Sequence, residues 1–561
     1  MRTSLLVALL GLAHCFASAQ KTIKPYPDEL LVTPEKSNFE KTTTHGELLQ
    51  FLDRLAARSP YLHRIVLGKS HMGKEIPLVI LANPKITSAA EAKASGKPVV
   101  YVQGNIHAGE VEGKEIIQQL LRSILLGPDA HLLDNQILVF VPMYNTDGND
   151  KMAKGLRPTQ ENSPLETGER ENGQGLDLNR DGIKTEAPET RALMDVILNG
   201  WDPQMMVDLH TTNGSWHGYS LTWAPGYLSA GEAGPYHYVN DKVLPSITQN
   251  LDRNLGLKLG PFGDFTTREG WPPKRFFTYN HHPRYLINQM GLRNRMSILS
   301  EAFAHERFYQ RMHSTYAFVH EILSWCNQHA KEVWQINAAA DKAAMESVLQ
   351  GAGKTKKGVR FKMVAQAKPL APFRSYEFQA FTTANGNTQW NRTGRIVNYD
   401  SVPYYADFKD TLAVTLPRGY VIPAAFAAVA QQVKQLGGRV DTLRKATVFV
   451  GEEFRVEQYT KAKRAFEGHN MASAEGVYAP REYKAAAGDF LVDLAQPLAN
   501  LLFYALEPQS DDGLLVWNFY DGFFADKDLT KGPQAFPVFR YFSEKNNLNL
   551  QHGKSKKQSK Q

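Results

Sequence analysis

The sequence predicts an α/β fold, with helices flanking a sheet, followed by a second region rich in β-structure. Three observations carry this expectation. Over residues 40 to 330, short continuous apolar runs alternate with stretches of helical spacing, the pattern of strands buried on both faces. The glycine- and lysine-rich segment Gly351 to Gly358 then interrupts the alternation. From 360 to 545 it gives way to β-like runs separated by turns, read as a separate accessory region.

Taken in chain order, residues 1–19 read as a signal peptide. Met1 and Arg2 form a basic start, Leu5 to Leu12 is an apolar run, and Ala17-Ser18-Ala19 is a small-residue cleavage pattern. The run is too short to span a membrane. Cys15 invites lipid attachment, but His14 before it poorly matches the small residue such a site needs. Cleavage after about Ala19 leaves Cys326 as the one cysteine. No internal disulfide is then available, so stability comes from the core, and a secreted or periplasmic protein of bacterial export type is expected.

Val99 to Val102, Ile137 to Val141, Met205 to Val207 and Met296 to Leu299 read as central strands. Between them, Lys114 to Leu126 places Ile116, Ile117, Leu120, Leu121 and Ile124 at helical spacing, and Thr190 to Leu198 does likewise. A long helical pattern runs from Arg311 to about Leu349 with a break near Gln328, so 331–358 is read as helix and linker. Beyond it, Val359 to Ala365, Arg395 to Tyr399, Thr411 to Leu416 and Ala446 to Val450 read as strands, and Ala424 to Leu436 as a helix. The polar segment 546–561 is expected to be a disordered basic tail.

The 561 residues carry a formal charge of +7, but Arg2 in the leader and Lys554, Lys556, Lys557 and Lys560 in the tail supply five of those charges. The remainder is close to neutral, which argues against a nucleic-acid partner. No later segment is apolar for long enough to span a membrane.

Candidate chemistry gathers at strand ends. His107-Ala108-Gly109-Glu110 follows the strand at 99, and an H-x-x-E pair can reach one metal ion. A second such pair, His329 and Glu332, reads as a solvated helix face. What distinguishes the first is its place past the end of a buried strand, where open α/β sheets bind ligands. His210, after Met205 to Val207, is the candidate third ligand, with His217, His281 and His282 as rivals. Two histidines and a glutamate leave zinc an open position, as catalytic sites require. Glu301 ends the strand at 296, where burial raises a carboxyl toward general-base range; pairing with Arg293 or Arg295 is the plain alternative. Arg170 to Asp181 adds two arginines and two asparagines in a glycine-bearing loop, suited to gripping a carboxylate or steadying an oxyanion.

In order, the motifs Gly104-Asn105-Ile106-His107-Ala108-Gly109-Glu110, Asn145-Thr146-Asp147-Gly148, Gly175-Leu176-Asp177-Leu178-Asn179-Arg180, Asp208-Leu209-His210 and Ser300-Glu301-Ala302-Phe303 resemble the zinc carboxypeptidases of the carboxypeptidase A type, over about residues 40 to 330. The resemblance implies that fold, a mixed open sheet flanked by helices. It also implies one zinc ion on His107, Glu110 and His210, with Glu301 as general base and acid and Arg170 polarising the scissile carbonyl. Asn179 and Arg180 would grip the substrate's terminal carboxylate, and Asp177 would orient the first zinc histidine. A mobile tyrosine is expected at Tyr279, with Tyr285 as rival, and Leu286 is expected to line the specificity pocket. Thr146 stands where the family usually has proline.

The expected function is therefore a secreted metallocarboxypeptidase acting on peptides or peptide-like substrates with a free carboxylate. Two other readings are an amidohydrolase of the same fold, acting on peptidoglycan peptides or N-acyl amino acids, and an inactive secreted binding protein.

Overall fold

The computed structural model describes residues 26–161 and 164–545; the expected leader, 1–19, and tail, 546–561, lie outside the described residues. Eight strands form the main sheet: β1 (Leu62–Lys69), β2 (Glu75–Leu81), β3 (Val99–Gly104), β4 (Ile137–Val141), β5 (Met205–Thr211), β6 (Leu221–Pro225), β7 (Leu259–Pro261) and β8 (Met296–Ala302). Their spatial order is β1-β2-β4-β3-β5-β8-β6-β7. The inner four, β4, β3, β5 and β8, run parallel, whereas β2 and β6 pair antiparallel with their inner neighbours. This is the mixed sheet of the carboxypeptidase A-like fold.

Every residue of β3, β4, β5 and β8 is buried, which is why these strands read as continuous apolar runs. Successive side chains leave opposite faces. Val100 and Val102 pack with Ile116, Ile117, Leu120 and Phe318 on one side. Val99 and Tyr101 pack with Leu193, Ile197 and Met290 on the other. The helix over the first face spans Glu112–Leu126. On the second face, Pro188–Ala192 continues into a wider π-helix, Leu193–Trp201. After β3 the chain adds β4 on one flank and returns to place β5 on the other. That reversal puts a crevice at the carboxyl ends of β3 and β5.

Two long helices follow, Phe308–Gln328 and Ala330–Gly351, broken at His329. The linker is shorter than its composition suggests. Lys356 to Gly358 already belong to the strand Lys356–Ala365, which pairs with Tyr404–Thr415. A hairpin, Phe373–Thr382 with Thr388–Tyr399, stands beside them. A second sheet is built around the long strands Thr447–Lys461 and Ala472–Ala485.

This C-terminal region does not pack as a separate body. Ile183, Ala230 and Leu292 share a core with Val359, Val414 and Trp517. Phe373, Val402 and Tyr404 share another with Phe276 and Leu286. A buried ion pair, Arg284 to Asp512 at 2.6 Å, crosses the same boundary. Among the described residues no helix is long and apolar enough to cross a membrane.

Candidate active site

The crevice is built from the strand ends upward. β3 finishes at Gly104, where a side chain would meet the carbonyl oxygen of Pro142 at 2.9 Å and the amide of Lys114 at 3.0 Å. Asn105 then takes a left-handed φ of 64°, a conformation asparagine tolerates better than most residues. The chain is thereby turned so that His107 and Glu110 face the end of β5. On β5, Asp208 and His210 share one face of the strand. The parallel neighbour β8 sets Glu301 in register with His210.

His107, Glu110 and His210 are all buried. His107 Nδ1 lies 3.1 Å from Glu110 Oε1, and His210 Nδ1 lies 3.0 Å from Glu110 Oε2. The two Nδ1 atoms are 3.2 Å apart. Each outer ring nitrogen faces a carboxylate, His107 Nε2 with Asp177 at 3.0 Å and His210 Nε2 with Asp208 at 3.0 Å. A carboxylate there holds the proton on Nε2 and leaves the lone pair on Nδ1. Two lone pairs and a carboxylate then converge on one point, an arrangement that repels itself unless a cation joins it. Two imidazoles and one carboxylate are a donor set suited to zinc. The residues therefore fit the metal that the resemblance implies.

Asp177 is held well below the usual carboxylate range. Burial pushes it up, but His107, Arg180 and Arg170 together outweigh burial. Glu301 behaves oppositely: burial, with the charge of Glu110 adding to it, raises its carboxyl to about 8 against the pull of His210, Arg157 and Arg170. Neither arginine considered as its partner reaches it. Arg295 pairs with Asp202 and Asp341, and Arg293 bonds the carbonyls of Leu198 and Leu436.

The raised value sets the sign of a pH effect. Between the ordinary 4.5 and about 8, the folded metal-free chain keeps a proton that the unfolded chain has released. This contribution to stability is full below pH 4.5 and is lost as pH rises toward 8. The Tm of chelator-treated protein should fall over that window, and Glu301→Gln should flatten the slope. An unchanged slope would count against a buried, proton-holding Glu301.

These groups share one cleft that opens to solvent. His107, Glu110, Arg170, Asn179, Arg180, His210, Tyr279, Tyr285 and Glu301 line it, together with Thr211, Asn213, Phe262, Ile287 and Leu299. Arg170 is anchored through Nη2 to Asp177 Oδ2 at 2.8 Å, and Nη1 stands 3.6 Å from Glu110. Asn179 Oδ1 accepts from the amide of Leu286 at 3.2 Å. The guanidinium of Arg180 lies over the Tyr285 ring at 4.6 Å.

Leu286 corrects an expectation. Its side chain is fully buried among the core residues beneath the site, and its neighbour Ile287 faces the cleft instead. One residue along a helix turns a side chain by about 100°, and a sequence offset does not resolve that. Other residues escaped the sequence reading. Asp208 sits inside a recognised motif, but its bond to His210 needs the strand geometry to be seen. Arg157, 3.0 Å from Glu110, comes from a loop with no distinguishing pattern. From the C-terminal region, Glu467 accepts the amide of Asp177 at 3.3 Å.

Residues 48–256 match the family model described as zinc carboxypeptidase. That match, together with relatives named carboxypeptidase, supports a metallocarboxypeptidase. The metallocarboxypeptidase is also similar, along most of its length, to carboxypeptidase 2 of Trichophyton tonsurans, at 23% identity covering 89% of this chain and 86% of that protein. That span takes in the C-terminal region as well as the main sheet. A shorter match, 30% identical, covers 25% of this chain and 12% of carboxypeptidase D of Mus musculus. Among solved structures, a metallo-carboxypeptidase from Burkholderia cenocepacia superposes with a TM-score of 0.38 at 15% identity, over 52% of this chain and 70% of that one. The relative matched along most of the chain is fungal, so it lends nothing to the bacterial assignment.

In the carboxypeptidase, Asp208→Asn should weaken zinc affinity by about 10- to 100-fold, the usual cost of losing an outer partner of a ligating histidine. Competition with a chromogenic chelator measures it. Unchanged affinity would mean that Asp208 does not set the tautomer of His210.

Proposed function

We propose that the protein is an exported carboxypeptidase that removes C-terminal residues from peptides. One zinc ion would be held by His107, Glu110 and His210, with Glu301 as general base and acid. The observation that carries this reading is the convergence of both Nδ1 atoms and Glu110 in the same cleft as Glu301, Arg170, Asn179 and Arg180. When bound, zinc supplies Lewis acidity that acidifies water and polarises the scissile carbonyl.

The protein groups do the rest. Glu301 takes a proton from the attacking water and passes it to the leaving amine. It is suited to both tasks because its environment favours the neutral form while the neighbouring cations favour the charged one. Arg170, steadied by Asp177, offers guanidinium protons to the developing oxyanion. Asn179 and Arg180 hold the terminal carboxylate of the substrate, and Tyr285 supports the guanidinium of Arg180 from below.

Tyr279 is the better candidate for a tyrosine that moves onto substrate. Its hydroxyl is buried and has no hydrogen-bond partner among the described residues, whereas the ring of Tyr285 is engaged by the Arg180 guanidinium. Phe262, Ile287 and Leu299 give the cleft an apolar wall. Among the described residues Glu110 and Glu301 are its only carboxylates, and both are committed to chemistry. The pocket therefore suits apolar or aromatic terminal residues better than lysine or arginine. The leader, read as a signal peptide, supports export.

Mass spectrometry of a mixed peptide library, comparing wild type with Glu301→Gln, tests the reading. Stepwise loss of C-terminal residues in wild type alone supports it. Cleavage confined to muropeptides or acyl amino acids would replace it with an amidohydrolase, and zinc binding without any cleavage would leave a binding protein.

A further inference from the structure

A second set of donor atoms lies where the main sheet's loops meet the C-terminal region. His281 and His282, in the loop between Tyr279 and Tyr285, and Asp511, from the segment after the helix Ala499–Leu506, each bring one ligand atom within 4.8 Å of the other two. Three features mark this cluster as more than chance proximity.

The first is His281 itself. It is 1% exposed, yet neither ring nitrogen makes a hydrogen bond among the described residues. A buried imidazole with no hydrogen bond at either nitrogen is rare, and an ion is one of its standard explanations. Phe361 and Phe408 flank the ring with centroids at 4.9 and 5.0 Å, so water has little access to it.

The second is the charge on Asp511. Its neighbour Asp512 is neutralised by Arg284, but Asp511 has no such cation. Among the described residues its one charged contact within 4 Å is His281 Nε2, at 3.4 Å, long for a charge-assisted hydrogen bond. Asp511 is held in place by the amide of Phe361 at 2.9 Å and by the hydroxyl of Tyr504. Its orientation is therefore fixed by the scaffold and not by His281.

The third is the position of His282. It follows His281 in a loop braced by Asn288, which donates to the carbonyls of Asn280 and His282 at 2.9 and 3.2 Å.

We propose that His281, His282 and Asp511 bind a divalent cation of zinc type, distinct from the catalytic ion, that clamps the 279–285 loop to the C-terminal region. Two imidazoles and one carboxylate favour zinc over calcium or magnesium, which prefer all-oxygen sites. Tetrahedral zinc with bonds near 2.0–2.1 Å needs donors about 3.3 Å apart. The His281 to Asp511 distance already meets that, and a small closure by His282 completes it. His282 and Asp511 are half-buried, which leaves room for a water as fourth ligand. Because this loop carries both Tyr279 and Tyr285, the ion would hold one wall of the catalytic cleft.

The test is zinc titration of metal-free, full-length protein, with bound metal measured after gel filtration. Wild type should retain two equivalents. His281→Phe, which suits the aromatic surroundings, and Asp511→Asn, which keeps the shape, should each retain one. A His107→Gln/His210→Gln variant should also retain one, and zinc should raise its Tm; adding His281→Phe to that variant should abolish both effects. A wild type that holds one equivalent, lost entirely in His107→Gln/His210→Gln, overturns the proposal. If the single equivalent survives in that variant and disappears in His281→Phe, the second site stands and the catalytic assignment fails.

Discussion

Replacing Glu301 with glutamine should lower kcat on a peptide's C-terminal bond by about 10²- to 10⁴-fold, the range for removing a general acid–base, while zinc content and fold stay as in wild type. Gln and Glu have nearly the same shape, so the cleft wall formed by Ile287, Leu299 and Tyr279 is not disturbed. Glutamine cannot accept the water's proton, nor deliver one to the leaving amine. KM should change little, since Asn179 and Arg180, not Glu301, are assigned the substrate carboxylate. At ~1.4 kcal/mol per factor of ten, the loss corresponds to about 3–5 kcal/mol of transition-state stabilisation. A variant that keeps more than about a tenth of wild-type kcat would remove Glu301 from the mechanism.

Replacing His210 with alanine should cost both the metal and part of the fold. The cation loses one of three protein ligands, so affinity should fall by more than the ~10–100-fold expected when only an outer partner is lost. Activity should vanish at zinc concentrations that saturate wild type. The stability effect has a separate origin. Asp208 is fully buried and would keep only the amide of Gln103, at 3.2 Å, in place of the imidazole. Stranding a buried carboxylate in this way typically costs about 3–5 kcal/mol. The double variant His210→Ala/Asp208→Asn should therefore be more stable than His210→Ala alone and equally inactive. Denaturant unfolding of both without zinc checks this. A double variant no more stable than the single would show that the buried charge is not what destabilises the site.

The candidate metal ligands could be picked out because each stands at the carboxyl end of a run that is apolar on both faces. β3, β5 and β8 are recognisable as strands, and His107, Glu110, His210 and Glu301 follow or end them. The C-terminal region was less legible. Only the start of Thr447–Lys461 was read as strand; Glu452 and Glu453 interrupt its apolar run, and the residues after Val456 are mostly exposed. Its docking was invisible as well, since Arg284 and Asp512 are far apart in the chain and each is unremarkable in its own segment.

Local sequence thus determined the strand ends and the types of group the cleft would hold, because burial and backbone preference act within a few residues. Which of Leu286 and Ile287 faces the cleft, that Asp208 holds His210, that Glu467 reaches Asp177, and that His281 lies buried beside Asp511 were decided only by the tertiary structure. Those relations arise from register and packing between segments distant in sequence, where a shift of one residue or about 1 Å changes which atoms meet.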